Sequence, residues 1–444
     1  MITLPFLGRL SLSEWPVVVI SLLFAYIESV ISIITELIPA PVLGFITSLL
    51  KYLHTNAFRL VFPKDETEPT DAELNQRQLV KASNIHDICK VYGFEVEDHI
   101  VETKDKYLLT IHRIPPKKKD SPVVYLHHGL LMCSDIWFLM NRRDQNLPFI
   151  LHDLGYDVWL GNNRGNKYSA KHLVLKPSET KFWDFSIDEF AFYDIPDSIN
   201  YALKTSGAET LTYIGFSQGS AQAFASLSIN AELNNKINLF LALAPAITPV
   251  GLHHRFVDAL IKSSPNIMYL IFGKKTLLPT ASFWASIIYP PLFVKVIDVS
   301  IKMLFNWKSK NIDQSQRISS FKHLYSPTSV KCIVHWFQII RNGSFQLFDE
   351  NVSVTNSLTK VFQPATFPTK TNIKVPVKLI YGDIDSLVNI DKYSSLLPAE
   401  LTEAVAIPAH EHLDIIWGRD VDKLIFPHVL KFLAEHRPDS KSST

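Results

Sequence analysis

Cysteine is scarce in this chain of 444 residues, which has only three: Cys89, Cys133 and Cys332. Three widely spaced cysteines fit neither a disulfide framework nor a zinc site built from several cysteines. Because chains with so little cysteine are typical of reducing compartments, we expect the folded part to lie in one.

An excess of charge of one sign is also missing. Lysine and arginine number 44 against 43 aspartates and glutamates, which gives a formal net charge of +1. Because no global basic field exists, nucleic acid is not expected as a partner. Apolar residues make up 47% and charged residues 20%, so the chain can bury a large core and wholesale disorder is excluded.

Two apolar segments, Pro16 to Ile38 and Val42 to Leu53, occupy the amino-terminal end. The first could span a bilayer at about 1.5 Å per residue, but Glu28 near its centre would cost roughly 2.5–3.5 kcal/mol against lipid tails. Basic residues flank both outer ends, which favours both ends on the cytosolic side. We therefore predict that residues 1–61 form a hydrophobic hairpin or interfacial anchor that enters lipid without crossing it. A single-span anchor and two buried helices are the alternatives.

The rest of the chain alternates short apolar runs with segments of helical pattern. Residues 62–77 are acidic and contain proline, which predicts a solvated linker, and residues 437–444 resemble a polar tail. The alternation over 78–246 and 371–436 predicts an α/β core, with a mostly parallel sheet covered on both faces. The predicted strands are Tyr107–Ile114, Val123–His127, Tyr156–Leu160, Leu211–Phe216, Leu239–Ala244, Val377–Tyr381 and Ala404–Ile407.

Residues 247–370 lack this strand alternation and are rich in aromatic side chains. An insertion of this length between two strands predicts a helical subdomain. Its apolar excess favours a cap or lid over the carboxyl edge of the sheet, where such folds place their active sites.

The first motif that indicates catalysis is the pentapeptide Gly215-Phe216-Ser217-Gln218-Gly219. It follows the predicted strand Leu211–Phe216 and precedes a helical segment, Ser220 to Ser228. A serine on a sharp strand-to-helix turn is the arrangement of a nucleophile elbow, and the helix amino terminus favours developing negative charge. We predict Ser217 as a catalytic nucleophile.

A serine hydroxyl needs a base to accept its proton and a third group to orient that base. In chains with such an elbow, the acid and then the histidine follow the serine in sequence. The run Val377–Tyr381 is followed by Asp383 and Asp385, and the last predicted strand by His410 and His412. Spacing alone leaves both members of each pair open.

Two backbone N–H groups must face the oxyanion of the tetrahedral intermediate. One belongs to the residue after the serine, Gln218, whose side chain need not take part. The strand Val123–His127 runs into His128 and Gly129, where glycine lets the backbone approach closely. This arrangement nominates the amide of Leu130 as the second donor.

Taken together, these motifs resemble the acid lipase family, which includes gastric and lysosomal acid lipases and the yeast steryl ester hydrolases. The resemblance runs from about Ile85 to the end of the globular body, and it is greatest for the yeast sterol esterases of lipid droplets. The motifs that carry it are His128-Gly129-Leu130-Leu131, Asn163-Arg164-Gly165-Asn166, Phe182-Trp183-Asp184-Phe185-Ser186, Asp188-Glu189, Gly215 to Gly219 and His412-Leu413-Asp414.

The resemblance implies an α/β-hydrolase fold with Asp385 as the acid, His412 as the base, and the amides of Leu130 and Gln218 as oxyanion donors. It also implies hydrolysis of steryl esters to sterol and fatty acid through an acyl-enzyme, which needs no metal or cofactor. The expected substrate is a steryl ester or another neutral lipid, and the expected partner is a lipid monolayer or membrane. Alternatives are a triacylglycerol lipase with the same triad and a non-catalytic lipid-droplet-binding protein.

The predicted anchor and the family resemblance together predict where in the cell the protein lies. A droplet of neutral lipid has a single phospholipid layer, so a segment that crosses a bilayer cannot reside there, whereas a monotopic anchor can. We expect a protein of lipid droplets, or of the endoplasmic reticulum, with its catalytic domain in the cytosol.

Overall fold

One sheet of nine strands, seven of them short apolar runs, lies within the described residues of the computed structural model, which are 15–39, 41–42, 44–46, 48–49, 52, 69–250, 252, 255–350 and 363–437. The strands are β1 (Glu97–Glu102), β2 (Tyr107–Ile114), β3 (Val123–His127), β4 (Asp157–Gly161), β5 (Lys171–His172), β6 (Leu211–Phe216), β7 (Ile237–Leu243), β8 (Val377–Gly382) and β9 (Thr402–Ile407).

The sheet has the order β1-β2-β4-β3-β6-β7-β8-β9, and β5 pairs with β2. Pairing from β4 through β9 is parallel, whereas β1, β2 and β5 run antiparallel at one edge. The prediction of a mostly parallel sheet is confirmed, with strand ends shifted by up to two residues. Strands β1 and β5 were not predicted from the sequence, because β1 is largely exposed and polar and β5 has only two residues.

Both faces of the central strands are buried, which explains why their sequences are continuous apolar runs rather than alternating ones. Along β3, Val123 and Tyr125 pack into one core cluster, and Val124 and Leu126 pack into another on the opposite face. The sheet is therefore a rigid layer between two cores, and residues that follow its strands are held firmly at its edge.

Nineteen α-helices occur in the described part of the chain. They are α1 (Trp15–Leu37), α2 (Asp71–Lys81), α3 (Ile85–Lys90), α4 (Leu147–Asp153), α5 (Ile187–Glu189), α6 (Ile195–Ser206), α7 (Gln218–Ile229), α8 (Ala231–Asn234), α9 (Arg255–Lys262), α10 (Pro265–Phe272), α11 (Ala281–Ile287), α12 (Pro290–Phe305), α13 (Gln314–Lys322), α14 (Val330–Asn342), α15 (Thr369–Asn372), α16 (Ile390–Leu396), α17 (Asp414–Trp417), α18 (Val421–Leu424) and α19 (Phe426–Glu435). Helices α9 to α14 lie between β7 and β8, in the region that the sequence predicts as a helical insertion; we call them the cap.

The predicted linker over 62–77 is wrong from Asp71 onward, where helix α2 begins. Thr70 and Glu73 form a capping box: the Thr70 hydroxyl accepts the amide of Glu73, and the Glu73 carboxylate accepts the amide of Thr70. Asp71 and Glu73, two acidic residues of the predicted linker, thus stabilise a helix amino terminus. Gln76 then donates a hydrogen bond of 2.9 Å to the backbone of Ser315 in the cap, so α2 belongs to the folded body.

Helix α1 covers most of the first apolar segment, Pro16 to Ile38. Trp15 and Leu22 pack against a cluster of cap residues that includes Leu260 and Met268. Other α1 side chains are exposed, among them Val19, Leu23, Tyr26, Ile33 and Leu37. Among the described residues, no helix is both long enough and apolar enough to cross a membrane. The side chain of Glu28, residues 43, 47, 50, 51 and 53 of the second apolar segment, and the tail at 438–444 lie outside the described residues.

Candidate active site

Ser217 lies on the sharp turn between β6 and α7, with φ 53° and ψ −117°. This backbone conformation is unusual for a residue with a side chain. A Cβ on Gly215 would lie 2.7 Å from the backbone of Gly219, and one on Gly219 would lie 2.5 Å from the carbonyl of His127. Both glycines are therefore required by close backbone contact, and the turn has the geometry of the predicted elbow.

His412 and Asp385 come together at the same edge of the sheet, after β9 and β8 respectively. Nδ1 of His412 donates a hydrogen bond of 2.7 Å to Oδ2 of Asp385. The other carboxylate oxygen of Asp385 accepts the amide of Leu387 at 2.9 Å. Exposed fractions of the two side chains are 4% for His412 and 0% for Asp385, so the pair is shielded from water. This arrangement orients the imidazole with Nε2 available as an acceptor.

Asp383 and His410, the alternatives that sequence spacing left open, form hydrogen bonds with other residues. Oδ1 of Asp383 accepts the amide of Ala409 at 2.6 Å. The ring of His410 contacts Asp420 at 3.0 Å, at a different carboxylate from that of His412. The structure thus brings Asp385 and His412 together and gives Asp383 and His410 separate partners.

The imidazole of His412 lies beside the elbow, with its ring centre 5.1 Å from that of Phe216, the residue before the serine. Among the hydrogen bonds of the described residues, none joins the Ser217 hydroxyl to His412. In free enzymes such a bond is often long and tightens only when substrate is bound.

The predicted oxyanion loop lies directly against the serine, since a Cβ on Gly129 would be 3.1 Å from the Cβ of Ser217. His128 holds this loop: its Nε2 accepts the amide of Asn163 at 3.2 Å, so its Nδ1 donates to the carbonyl of Gly129 at 2.8 Å. Burial lowers the pKa of His128 to about 4, which keeps the ring neutral and able to make both bonds. The backbone around Leu130 is thereby fixed beside the elbow.

Sequence reasoning missed the contacts that the cap makes with this site. The Gln218 side chain, which was given no part in oxyanion binding, accepts a hydrogen bond of 2.7 Å from the indole of Trp336 in α14. The indole of Trp307, just after α12, stacks on the imidazole of His412. No motif marks either tryptophan, and the only signal was the aromatic richness of the insertion.

No group of three or more His, Cys, Asp or Glu side chains in the described ranges could hold a metal ion. The three cysteines are free and buried. Burial raises the pKa of the Cys332 thiol, as it does for Cys89 and Cys133, so these thiols are not activated as nucleophiles. Ser217 is thus the nucleophile candidate that the site offers.

An elbow serine after a parallel strand, with an aspartate-paired histidine at the same sheet edge, defines the α/β-hydrolases as the class. The family model described as "alpha/beta hydrolase fold" matches residues 122–419, and the one described as "Partial alpha/beta-hydrolase lipase region" matches residues 85–141. The chain belongs to the acid lipase family of α/β-hydrolases, and it is accordingly a carboxylic ester hydrolase of the lipase and esterase type.

Three relatives illustrate this membership. A protein of Schizosaccharomyces pombe named a probable lipase is 46% identical over 99% of this chain and 95% of its own. The human "Lysosomal acid lipase/cholesteryl ester hydrolase" is 34% identical over 80% of this chain and 91% of its own. The human "Gastric triacylglycerol lipase" is 32% identical over 80% of this chain and 92% of its own. The similarity therefore covers the sheet, the cap and the candidate site.

Proposed function

We propose that this hydrolase cleaves steryl esters to sterol and fatty acid at a lipid surface, with Ser217, His412 and Asp385 as its triad. The observation that carries the proposal is the hydrogen bond of 2.7 Å between His412 and Asp385, at the sheet edge where Ser217 occupies the elbow. A scaffold protein built on the same fold would need none of these three side chains, which argues against the non-catalytic alternative.

The proposed reaction has two halves. Ser217 attacks the ester carbonyl while Nε2 of His412 accepts its proton and Asp385 stabilises the imidazolium that forms. The amides of Leu130 and Gln218 bind the oxyanion, each such donor being worth about 2.7–4 kcal/mol. His412 then protonates the departing sterol, and a water molecule deprotonated by the same imidazole releases the fatty acid from Ser217. Every step uses only water, these three side chains and the two backbone amides.

Support for a steryl ester comes from the relative whose printed name includes cholesteryl ester hydrolysis, and from the sequence motifs of the yeast sterol esterases. The relative named a gastric triacylglycerol lipase supports the rival substrate. Both substrates present a fatty acyl ester in an apolar phase, so the same triad would serve either, and the choice depends on the alcohol that the cap accepts.

Initial rates on two esters test the substrate choice. We expect detergent-solubilised protein to hydrolyse cholesteryl oleate faster than triolein when both are presented at equal mole fraction in the same mixed micelles. Because the acyl chain is the same, the ratio reports recognition of the alcohol alone. A faster rate on triolein would make the protein a triacylglycerol lipase instead.

A lipid surface as the working place is supported by apolar side chains that the described structure leaves exposed. On α12 these lie four, three and four residues apart and so share one helix face: Leu292, Val296, Val299 and Met303, with exposed fractions of 55%, 47%, 67% and 39%. Exposed lysines accompany this stripe, namely Lys295, Lys302, Lys308 and Lys310. Apolar side chains beside lysines match the interface of an anionic phospholipid layer.

Vesicle flotation tests whether the exposed apolar face of α12 binds lipid. Replacing Leu292, Val296 and Val299 together by serine is expected to lower binding to phosphatidylserine-containing vesicles at least about tenfold, because three apolar side chains lose their burial in lipid. Hydrolysis of a water-soluble short-chain ester should stay unchanged. A control replaces Leu173 and Val174, which are also exposed but follow β5 rather than lie on α12, by serine. Equal flotation of both variants would refute the role of α12.

We also propose that the protein is monotopic, with residues 1–61 as its anchor and its catalytic domain on the cytosolic side of lipid droplets or the endoplasmic reticulum. The exposed apolar side chains of α1 and the three free cysteines support this location. Fractionation in alkali provides the test. Recovery with floating neutral lipid agrees with the proposal, whereas complete release as soluble protein contradicts it.

A further inference from the structure

One aromatic side chain of the insertion, that of Trp307, contacts the histidine of the triad. Trp307 follows the last turn of α12, and its ring lies nearly parallel to the imidazole of His412, with 5.0 Å between ring centres and 10° between planes. Only 5% of Trp307 is exposed. Phe216 of the elbow packs on the same imidazole at 5.1 Å and 49°. The imidazole thus contacts an aromatic ring of the elbow and one that follows a cap helix.

Neighbours of the acid and of the base hold Trp307 in this position. Its Nε1 donates a hydrogen bond of 3.0 Å to the hydroxyl of Ser386, the residue after Asp385, and that hydroxyl donates at 2.8 Å to the carbonyl of Phe305. Glu411, the residue before His412, accepts the amides of Lys308 and Ser309 at 2.7–2.9 Å. Two independent contacts therefore tie the segment to the acid loop and to the histidine loop.

We propose that Trp307 is a positioning residue, whose indole face holds the His412 ring in plane with Asp385 and stabilises the imidazolium during catalysis. This inference rests on the proposed function, because Trp307 acts through His412 as the base. The negative face of an indole attracts a cation, and the attraction is strongest where water is excluded, as it is here. Since the imidazole of His412 gains a proton as the tetrahedral intermediate forms, the gain appears in the transition state rather than in substrate binding.

Kinetics of substituted proteins separate this role from simple packing. Trp307→Leu keeps an apolar side chain but removes the aromatic face, and we expect kcat to fall by about tenfold to thirtyfold with KM within about twofold. Trp307→Phe keeps an aromatic face and is expected to retain kcat within about threefold. Trp284→Leu removes a tryptophan from α11 of the cap and serves as the control, with kcat unchanged.

Each rate is divided by the concentration of active sites, titrated with a fluorophosphonate, so that misfolded protein does not lower the apparent kcat. The loss should be the same for a water-soluble short-chain ester and for a steryl ester, because the indole acts on the imidazole and not on the substrate. Should Trp307→Leu fail to fold, Ser386→Ala keeps the indole and removes its hydrogen bond. A drop in kcat of about twofold to fivefold in that variant agrees with the proposal, and no drop contradicts it.

Three other results would overturn the inference. Unchanged kcat in Trp307→Leu would show that the stack has no influence on the base. A rise in KM confined to the steryl ester would make Trp307 a wall of the substrate tunnel instead. Wild-type protein that neither hydrolyses esters nor reacts with the fluorophosphonate would reject the proposed function itself, and the inference with it; active wild type with equally active Trp307→Leu rejects the inference alone.

Discussion

Ser217→Ala is expected to lower ester hydrolysis by at least about 10⁴-fold, because it removes the only atom that can form the acyl-enzyme. The side chain lost is a single hydroxyl, and alanine fits the elbow as well as serine does. The melting temperature should therefore stay within a few degrees of that of the wild type. The measurements are the initial rate on a short-chain ester and covalent labelling by a fluorophosphonate probe.

Ser220→Ala is the matched control for this substitution. Ser220 is also buried and lies one turn further along α7, where its hydroxyl donates to the carbonyl of Ser217 at 2.5 Å. Its substitution takes away one hydroxyl close to the elbow but leaves the hydroxyl of Ser217 in place, so labelling and activity should persist. Labelling of Ser217→Ala equal to that of wild type would mean that another residue is the nucleophile.

The core of the fold was predictable from sequence for a physical reason. Parallel strands buried on both faces are continuous apolar runs, and the predicted strand Leu211–Phe216 coincides with β6 residue for residue. The same reasoning located the edge at which Ser217 lies, since an elbow must follow such a strand. Strand β1 was not predicted from the sequence. It is an antiparallel edge strand with charged, mostly exposed residues, so it lacks a continuous apolar run.

The residues of the candidate site also differ in how well the sequence predicts them. Ser217 has a local signature, because close contacts forbid a Cβ at Gly215 and Gly219 and so leave a motif in the sequence. Asp385 and His412 have only an order along the chain, and spacing alone could not separate them from Asp383 and His410. Their pairing is a long-range hydrogen bond, set by the positions of β8 and β9.

Contacts from the cap had no sequence signature at all. Trp307 reaches His412 across more than a hundred residues, and the hydrogen bonds that hold it run from backbone amides to Glu411 and from the indole to Ser386. Any aromatic residue of the insertion could have filled that place. Likewise, the acidic composition near Asp71 predicts a linker, whereas the spacing of Thr70 and Glu73 allows a capping box that starts a helix.

Asp385→Asn is expected to lower kcat by about 10⁴-fold with little change in stability. The asparagine amide can donate a hydrogen bond to Nδ1 of His412, which leaves the proton on Nε2, and a protonated Nε2 cannot accept the proton of Ser217. Lost stabilisation of the imidazolium acts in the same direction. Measuring kcat and the melting temperature together separates this effect from unfolding.

Asp383→Asn provides a control two residues away in the same loop. Its Oδ1 accepts the amide of Ala409 at 2.6 Å, a bond that the asparagine carbonyl can also accept, so kcat should fall by no more than about fivefold. The contrast is informative because both substitutions remove one charge from one loop, while only one of the carboxylates touches the imidazole. If Asp383→Asn lost activity and Asp385→Asn kept it, the acid would have to rearrange toward Asp383 when substrate binds, and the hydrogen bond between Asp385 and His412 would belong to a resting state.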